Sequence, residues 1–241
     1  MGKQILMIVL SLLTSFLGHT ANAEDRSLQD SRWEMGLTFG EIPILAKSFK
    51  PGFSIGYRLN EQVRIRLVLQ GEDYLQRDGS SFNAQNTGQD GLVSSKERTG
   101  MRFFFGVDYR PVKWSPYLSA GIVVNGTDIE RMLFDRRKRR IGTDSYTTSM
   151  KIVQTRRAGW GPALGIGYDV KLNDHVDLNA GIAMAFLGET PIPDIEILTR
   201  SDVPDSDTNN LRHQILDKYK TNSHNNYHIF NLGLSYRFGG K

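Results

Sequence analysis

The chain has 241 residues, 39% of them hydrophobic and 23% charged, with 24 glycines, no cysteine and a formal net charge of +4. Such a mixture excludes disorder and collagen, and the length allows one large domain or two small ones. The lack of cysteine excludes disulfide staples, cysteine-ligated zinc, thiol nucleophiles and the lipidated cysteine of a bacterial lipoprotein, which leaves packing and hydrogen bonds to hold the protein together.

The N-terminus, MGKQILMIVLSLLTSFLGHTANAED, places Lys3 before an apolar run from Ile5 to Leu17, and Ala21, Asn22 and Ala23 before Glu24 and Asp25. This reads as an export signal over residues 1–23, cleaved after Ala23. The run is too short for a membrane anchor, which needs about 20 apolar residues. No later segment is long and apolar enough for a transmembrane helix, so the mature chain, residues 24–241, is expected either as a soluble exported protein or as a membrane protein built of strands.

From Ser31 onward apolar and polar residues alternate, the pattern of a strand with two unlike faces. Eight runs carry it. The first sets Trp33, Met35, Leu37 and Phe39 against Glu34, Gly36 and Thr38, and the second sets Phe53, Ile55, Tyr57 and Leu59 against Ser54, Gly56 and Arg58. The third spans Val63 to Gln70, the fourth Met101 to Arg110, and the fifth Leu118 to Asn125. The sixth spans Leu164 to Lys171, the seventh Val176 to Phe186, and the eighth Phe230 to Phe238. Tight turns are predicted at 60–62, 113–115 and 173–175, where Asn, Asp and Gln are common. The other connections are long, near 71–98, 126–158 and 188–226, and are expected as structureless loops. Short turns at one end and long loops at the other describe an up-and-down meander.

Three features predict that the apolar rows face outward. The polar rows are crowded with Gly36, Gly56, Gly106, Gly121, Gly165, Gly167, Gly181 and Gly233, which weaken a solvated strand but fit the narrow interior of an eight-stranded barrel. Aromatics sort by height: Trp33, Tyr57, Tyr109, Tyr168, Tyr236 and Phe238, with Trp114, fall toward the short turns, and Phe39, Phe53, Phe103, Trp160, Phe186 and Phe230 toward the long loops. Two aromatic rings around an aliphatic band match the two interfaces of a bilayer. The third feature is the final strand, YHIFNLGLSYRF, which alternates and ends on an aromatic.

That final strand resembles the C-terminal assembly signal of bacterial outer-membrane proteins. With the export signal and eight strands, the mature chain is similar to the small outer-membrane barrels of the OmpA/OmpX-like class. The resemblance implies an all-β fold, an eight-stranded antiparallel up-and-down transmembrane β-barrel forming one domain in the outer membrane of a Gram-negative cell. It also implies both termini in the periplasm and the barrel-assembly machinery as a partner during biogenesis. Gly239, Gly240 and Lys241 depart from the pattern by following the terminal aromatic. Pro162 departs by falling inside a strand of a wall with no edge, and is expected at the upper rim or a bulge.

Twelve charged residues are assigned to the lumen: Arg58, Arg64, Arg66, Arg102, Arg110, Lys171 and Arg237 against Glu34, Glu72, Asp108, Asp169 and Asp177. Buried charge is costly unless paired, so a salt-bridge plug is expected, with a narrow anion-preferring channel as the alternative favoured by the positive surplus. A soluble periplasmic barrel binding an apolar ligand is a further alternative, distinguished by apolar rows facing inward. The run Arg136, Arg137, Lys138, Arg139 and Arg140 is expected in an outer loop, either solvated or against lipopolysaccharide phosphates, for which arginine has the matching geometry. Export makes nucleic acid an unsuitable partner for it. Ser223, His224 and His228 cluster before the last strand but lack the His-x-Ser arrangement of lipid-deacylating barrels, and no phosphate loop, EF-hand or zinc signature occurs. The sequence therefore predicts a non-enzymatic surface protein without a cofactor, in contact with outer-membrane lipid and lipopolysaccharide and presenting its loops to an extracellular ligand of unspecified chemistry.

Overall fold

Each of the eight alternating runs forms a strand, and the strands close on themselves. The computed structural model describes residues 32–40, 50–81, 83–112, 116–173, 175–186, 192–199, 203–222 and 228–238; the export signal, Trp114, the turn at 113–115, Ser223, His224 and the segment Gly239 to Lys241 lie outside the described residues. The wall consists of β1 (Trp33–Phe39), β2 (Pro51–Arg58), β3 (Val63–Gln70), β6 (Arg102–Tyr109), β7 (Tyr117–Asn125), β10 (Gly159–Lys171), β11 (Val176–Ala185) and β13 (His228–Arg237). Neighbours pair antiparallel in the order β1-β13-β11-β10-β7-β6-β3-β2, and β1 meets β13 from Glu34↔Arg237 to Phe39↔Leu232 to close the ring. Closure leaves no unpaired strand edge, the condition for strands in hydrocarbon. At the short-turn end, Asn60 Oδ1 accepts from the Gln62 and Val63 amides, and Asn173 Oδ1 from those of His175 and Val176, each at 2.8 Å. These side chains supply the turn's acceptors locally.

Parity is as read. Leu37 is 72% exposed and Trp160 65%, with Met35, Phe105, Ile166 and Leu234 also on the outside, while Glu34, Arg64, Arg66, Asp108 and Asp177 are buried. Pro162 sits opposite Ile122 within β10, and its carbonyl accepts the Phe186 amide at 2.8 Å. In an antiparallel ladder the nitrogen and carbonyl of a residue face the same neighbour. The missing donor therefore faces the point just past Ala185 where β11 has ended, at the upper rim.

The long connections are where the structure departs from the sequence reading. They are folded. The remaining strands β4 (Asp73–Asp78), β5 (Leu92–Thr99), β8 (Asp128–Ile141), β9 (Asp144–Arg156) and β12 (Asp194–Thr199) form a second, five-stranded antiparallel sheet in the order β12-β9-β8-β5-β4. They directly continue, or in β12 follow, the wall strands β11, β10, β7, β6 and β3 in the same lateral order, so part of the barrel wall extends beyond the membrane. Small residues mark three of the joints, Gly71, Gly100 and Gly126. At one of them the Gly100 amide donates to Asp128 Oδ1 (2.9 Å) and the Gly126 amide to the Met101 carbonyl (2.6 Å).

One face of this outer sheet is covered by two helices, the short α1 (Ala84–Thr87) and α2 (Asp205–Asn222). Leu211, Ile215 and Tyr219, spaced four apart on α2, bury against Met132, Phe134, Met150, Ile152, Ile195 and Ile197. The helix is anchored at its first turn, where Asp207 accepts from the Tyr146 and Thr143 hydroxyls beside the Gly142 turn of the β8–β9 hairpin. Gly142 adopts φ +65°, and a Cβ there would meet Asp207 at 2.6 to 2.9 Å. The molecule thus carries a water-soluble type of core stacked on a membrane barrel. Ile215 is fully buried, so Ile215→Ala is expected to lose about 2–5 kcal/mol of that outer core. The measurement is protease cleavage of α2 on intact cells: faster cutting with an unchanged heat-dependent gel shift of the barrel is the expected result.

Candidate functional site in the barrel lumen

Eight strands enclose a space that side chains can fill, and here they fill it in layers. At the short-turn end, the alternation of β1, β2, β3, β6, β10, β11 and β13 brings five guanidinium groups to four carboxylates. Arg64 contacts Glu34 at 2.7 Å, Asp108 at 2.8 Å and Asp169 at 3.1 Å. Arg66 contacts Asp108 at 2.9 Å, and Arg110 contacts Asp169 at 2.5 Å. Arg58 joins Glu34 (3.0 Å) to Asp177 (3.3 Å), and Arg237 contacts Asp177 at 2.9 Å. The Ser119 hydroxyl adds a 2.6 Å bond to Asp108. Every carboxylate of the layer is engaged by at least one arginine.

Packed against this layer is Tyr117, which the sequence reading left just outside the fifth run. Its hydroxyl accepts from Arg66 at 3.0 Å, and its ring lies 4.9 Å from the Arg64 guanidinium and 5.0 Å from that of Arg66. A Cβ on Gly167, the direct partner of Tyr117 on the neighbouring strand β10, would fall 2.1 Å from this tyrosine, so the space over the glycine row beside it is what its ring occupies. The signal available was parity, since Tyr117 stands two residues before Ser119 on the polar row. Next come Val68, Phe104, Val123, Ala163, Ala183 and Ile229, all buried and all pointing inward, an apolar stopper within the lumen. The upper rim is polar again: Lys50 Nζ donates to the Gly100 carbonyl (2.7 Å), Gln70 Nε2 to the Phe230 carbonyl (2.5 Å) and Arg102 Nη1 to the His228 carbonyl (3.2 Å). A mouth of about 260 Å³ opens at the short-turn end, lined by Arg58, Gln62, Arg64, Arg110, Asp169 and Tyr117.

Nine of the twelve charged residues assigned to the lumen meet in this cluster. Glu72 does not: it precedes β4 and pairs with Arg98 at 2.7 Å on the exposed face of the outer sheet, because the wall strand ends at Gln70 and Gly71 turns the chain. Lys171 lies exposed at the lower end of β10, and Arg102 belongs to the upper rim. The positive surplus within the cluster is therefore one charge. The basic run from Arg136 to Arg140 is not a loop either, but part of β8 at an irregularity between Phe134 and Arg137. Arg139 is buried there, giving bonds to the Thr148 and Asp90 carbonyls, while Arg137 pairs with Asp135 at 2.6 Å.

A second recess, of about 270 Å³, lies under the outer sheet between Asn83, Glu97, Asp128, Glu130, Gln154 and Arg156. Glu130 is already bonded by Ser81, Asn83 and Ser95, and burial pushes the Glu97 carboxyl up despite its 3.0 Å contact with Arg77. Nearer the tip, the hydrogen bond to Asp207 raises the Tyr146 phenol to about 12.

A shared fold accompanies this geometry in known structures. The chain is 15% identical to CarO of Acinetobacter baumannii, with 89% of this chain and 100% of that one aligned at a TM-score of 0.55. It is 11% identical to CarO2 of the same organism, with 87% and 100% aligned at a TM-score of 0.59. No curated protein matches it in sequence. The profile of the outer membrane protein beta-barrel domain, however, matches residues 8–238, from Ile8 to the final aromatic, Phe238. By that match and by its closed ring of eight strands, the chain belongs to the outer-membrane β-barrel family and resides in the outer membrane.

Proposed function

We propose that this protein is a closed, non-enzymatic barrel that anchors a folded outer layer at the cell surface, where that layer meets lipopolysaccharide and extracellular partners. The observation that carries the reading is the stacking of a charge cluster, each member of which has an ion-pair partner, beneath a buried apolar stopper of Val68, Phe104, Val123 and Ile229. An ion crossing the lumen would shed water against that stopper after displacing guanidinium–carboxylate pairs, and neither step is compensated. Carboxylates tied to arginines are also poor general bases, which supports a lumen without catalysis. The outer layer, in contrast, has its own core and so presents a defined surface rather than mobile loops.

The second reading, a narrow anion-preferring channel, draws on the single surplus positive charge and the open lower mouth. Planar-bilayer recording separates the two. A silent wild type, with conductance appearing in Phe104→Ala, is the result expected of a stoppered barrel. Anion-selective steps in the wild type that change with Arg64→Ala or Arg102→Ala would overturn it in favour of the channel.

A further inference from the structure

The wall registers run unshifted into the outer sheet: Arg102 pairs with Asn125 in the barrel, and Arg98 with Ile129 four residues further up each strand. The row that holds Lys96 and Arg131 therefore continues the lumen side of the wall, while α2 covers the side that continues the lipid-facing rows. Among the described residues no strand of this sheet continues β1, β2 or β13, so its lumen-side face is open. On it stand Lys96, Arg131 and Lys151, and beyond the irregularity in β8 the alternation adds Lys138 and Arg140, opposite Thr147 and Ser145. These five cations make no ion pair among the described residues, whereas Arg77, Arg98, Arg137, Arg139 and Arg157 are each tied to a carboxylate. Two further carboxylates share the face, Asp78 diagonal to Lys96 and Glu196 diagonal to Lys151, both on edge strands. The surplus of three positive charges is concentrated on β8. Arg131, Lys138 and Arg140 have no carboxylate opposite or diagonal to them, and Arg131 stands directly across from Lys96, an arrangement that destabilises a sheet.

The shape of the surplus selects its partner. From Arg131 to Arg140 the strand spans about 26 Å at 3.3 Å per residue, with one residue taken up by the irregularity. All three side chains are exposed, and the facing residues Ser145 and Thr147 are exposed hydroxyls rather than acids. Membrane lipid lies against the other side of the wall, so the counter-charge comes from outside the cell. An extended anionic sugar chain matches such a row, because its acidic groups meet the cations and its hydroxyls exchange hydrogen bonds with Ser145 and Thr147. Single-stranded nucleic acid matches less well, since no aromatic residue stands on this face of β8 or β9 to stack a base. We infer that the lumen-side face of the outer sheet, through Arg131, Lys138 and Arg140 with Lys96 and Lys151 beside them, is a docking surface for an acidic polysaccharide, a chain bearing sulfate or carboxylate groups. Arginine supplies bidentate contacts and the lysines point charges. This names the chemistry of an extracellular partner of the outer layer and rests on that layer standing outside the membrane, so a conducting lumen would leave it in place.

The test uses the full mature chain folded into phosphatidylcholine vesicles, with the barrel checked by its heat-dependent gel shift and the outer layer by protection of α2 from protease. Fluorescent dextran sulfate and polygalacturonate are titrated at low ionic strength, where exposed charges are least screened, beside uncharged dextran and duplex DNA. The wild type should bind at least one of the acidic chains and not the uncharged one. Arg131→Gln/Lys138→Gln/Arg140→Gln should weaken that binding at least tenfold and flatten its salt dependence. Lys138→Gln/Arg140→Gln, confined to the exposed end of the hairpin, should weaken it at least threefold. Arg212→Gln/Lys218→Gln/Lys220→Gln removes the same charge from α2, on the other side of the sheet, and should leave binding within twofold of wild type. Equal weakening by the two triple variants, or none by the β8 variant, overturns the inference, as does tighter binding of duplex DNA than of either polysaccharide. Absence of binding by the folded wild type also overturns it, and leaves the stoppered barrel to be judged by its conductance.

Discussion

Asp108→Ala is expected to lower the stability of the barrel by about 3–5 kcal/mol, the range for removing one partner of a buried ion pair. The side chain is 2% exposed and serves three groups. Arg64 and Arg66 reach it at 2.8 and 2.9 Å, and Ser119 donates to it at 2.6 Å. Its loss leaves two guanidinium groups facing each other and the Tyr117 ring without their shared counter-charge. Glu72→Ala supplies the contrast. Its bond to Arg98 is as short, 2.7 Å, but the two side chains are 34% and 41% exposed, so water and salt replace the partner and the expected cost is about 0–1 kcal/mol. Burial, and not distance, separates the two substitutions. Urea unfolding from detergent micelles gives both values. An Asp108→Ala cost near that of Glu72→Ala would mean that water already threads the cluster, and the stoppered-lumen reading would fall with it.

How much of this was legible depends on how strictly each segment alternates. The wall strands have lipid on one side and packed lumen on the other, so a single parity runs through each, and Trp33 to Phe39 or Phe230 to Phe238 announces itself. In β8 the rule breaks: Met132 and Phe134 face α2, Leu133 is nonetheless exposed, and the irregularity before Arg137 shifts parity so that Arg139 turns inward. A run of five basic residues then looks like a solvated loop although it is paired strand. The helix α2 was visible only as Leu211, Ile215 and Tyr219 at four-residue spacing in an otherwise polar stretch, a stripe too narrow to recognise without the sheet it covers. Parity also picks out nine of the charged residues that meet in the cluster, and includes Glu72, which does not, because alternation cannot tell where a wall strand stops and its continuation begins. The order of the layers, with Phe104 and Val68 above Tyr117 and the arginines, depends on strand stagger around the closed ring, which no single strand encodes.

The outward rows make the complementary prediction. Leu234 is 50% exposed, and it pairs with Leu37 on one side and Leu178 on the other, an aliphatic band bounded along β13 by Phe230 and Tyr236. Water-exposed leucines in such a continuous band would be an aggregation surface, whereas against lipid tails they are in their preferred solvent. Leu234→Arg must then carry a guanidinium into hydrocarbon, at a cost of about 2–4 kcal/mol near the midplane and less toward the interface. The neighbouring aromatic Tyr236 lies only two residues away, so snorkelling toward the short-turn interface holds the cost to the lower half of that range. Val93 on β5 is equally exposed at 53% but belongs to the outer sheet, where water replaces lipid, and Val93→Arg should change stability by less than about 0.5 kcal/mol. Unfolding titrations in lipid bilayers distinguish the two sites directly. Equal, small effects would place both leucine and valine rows in water, and the height at which the lipid boundary crosses the wall would have to move with them.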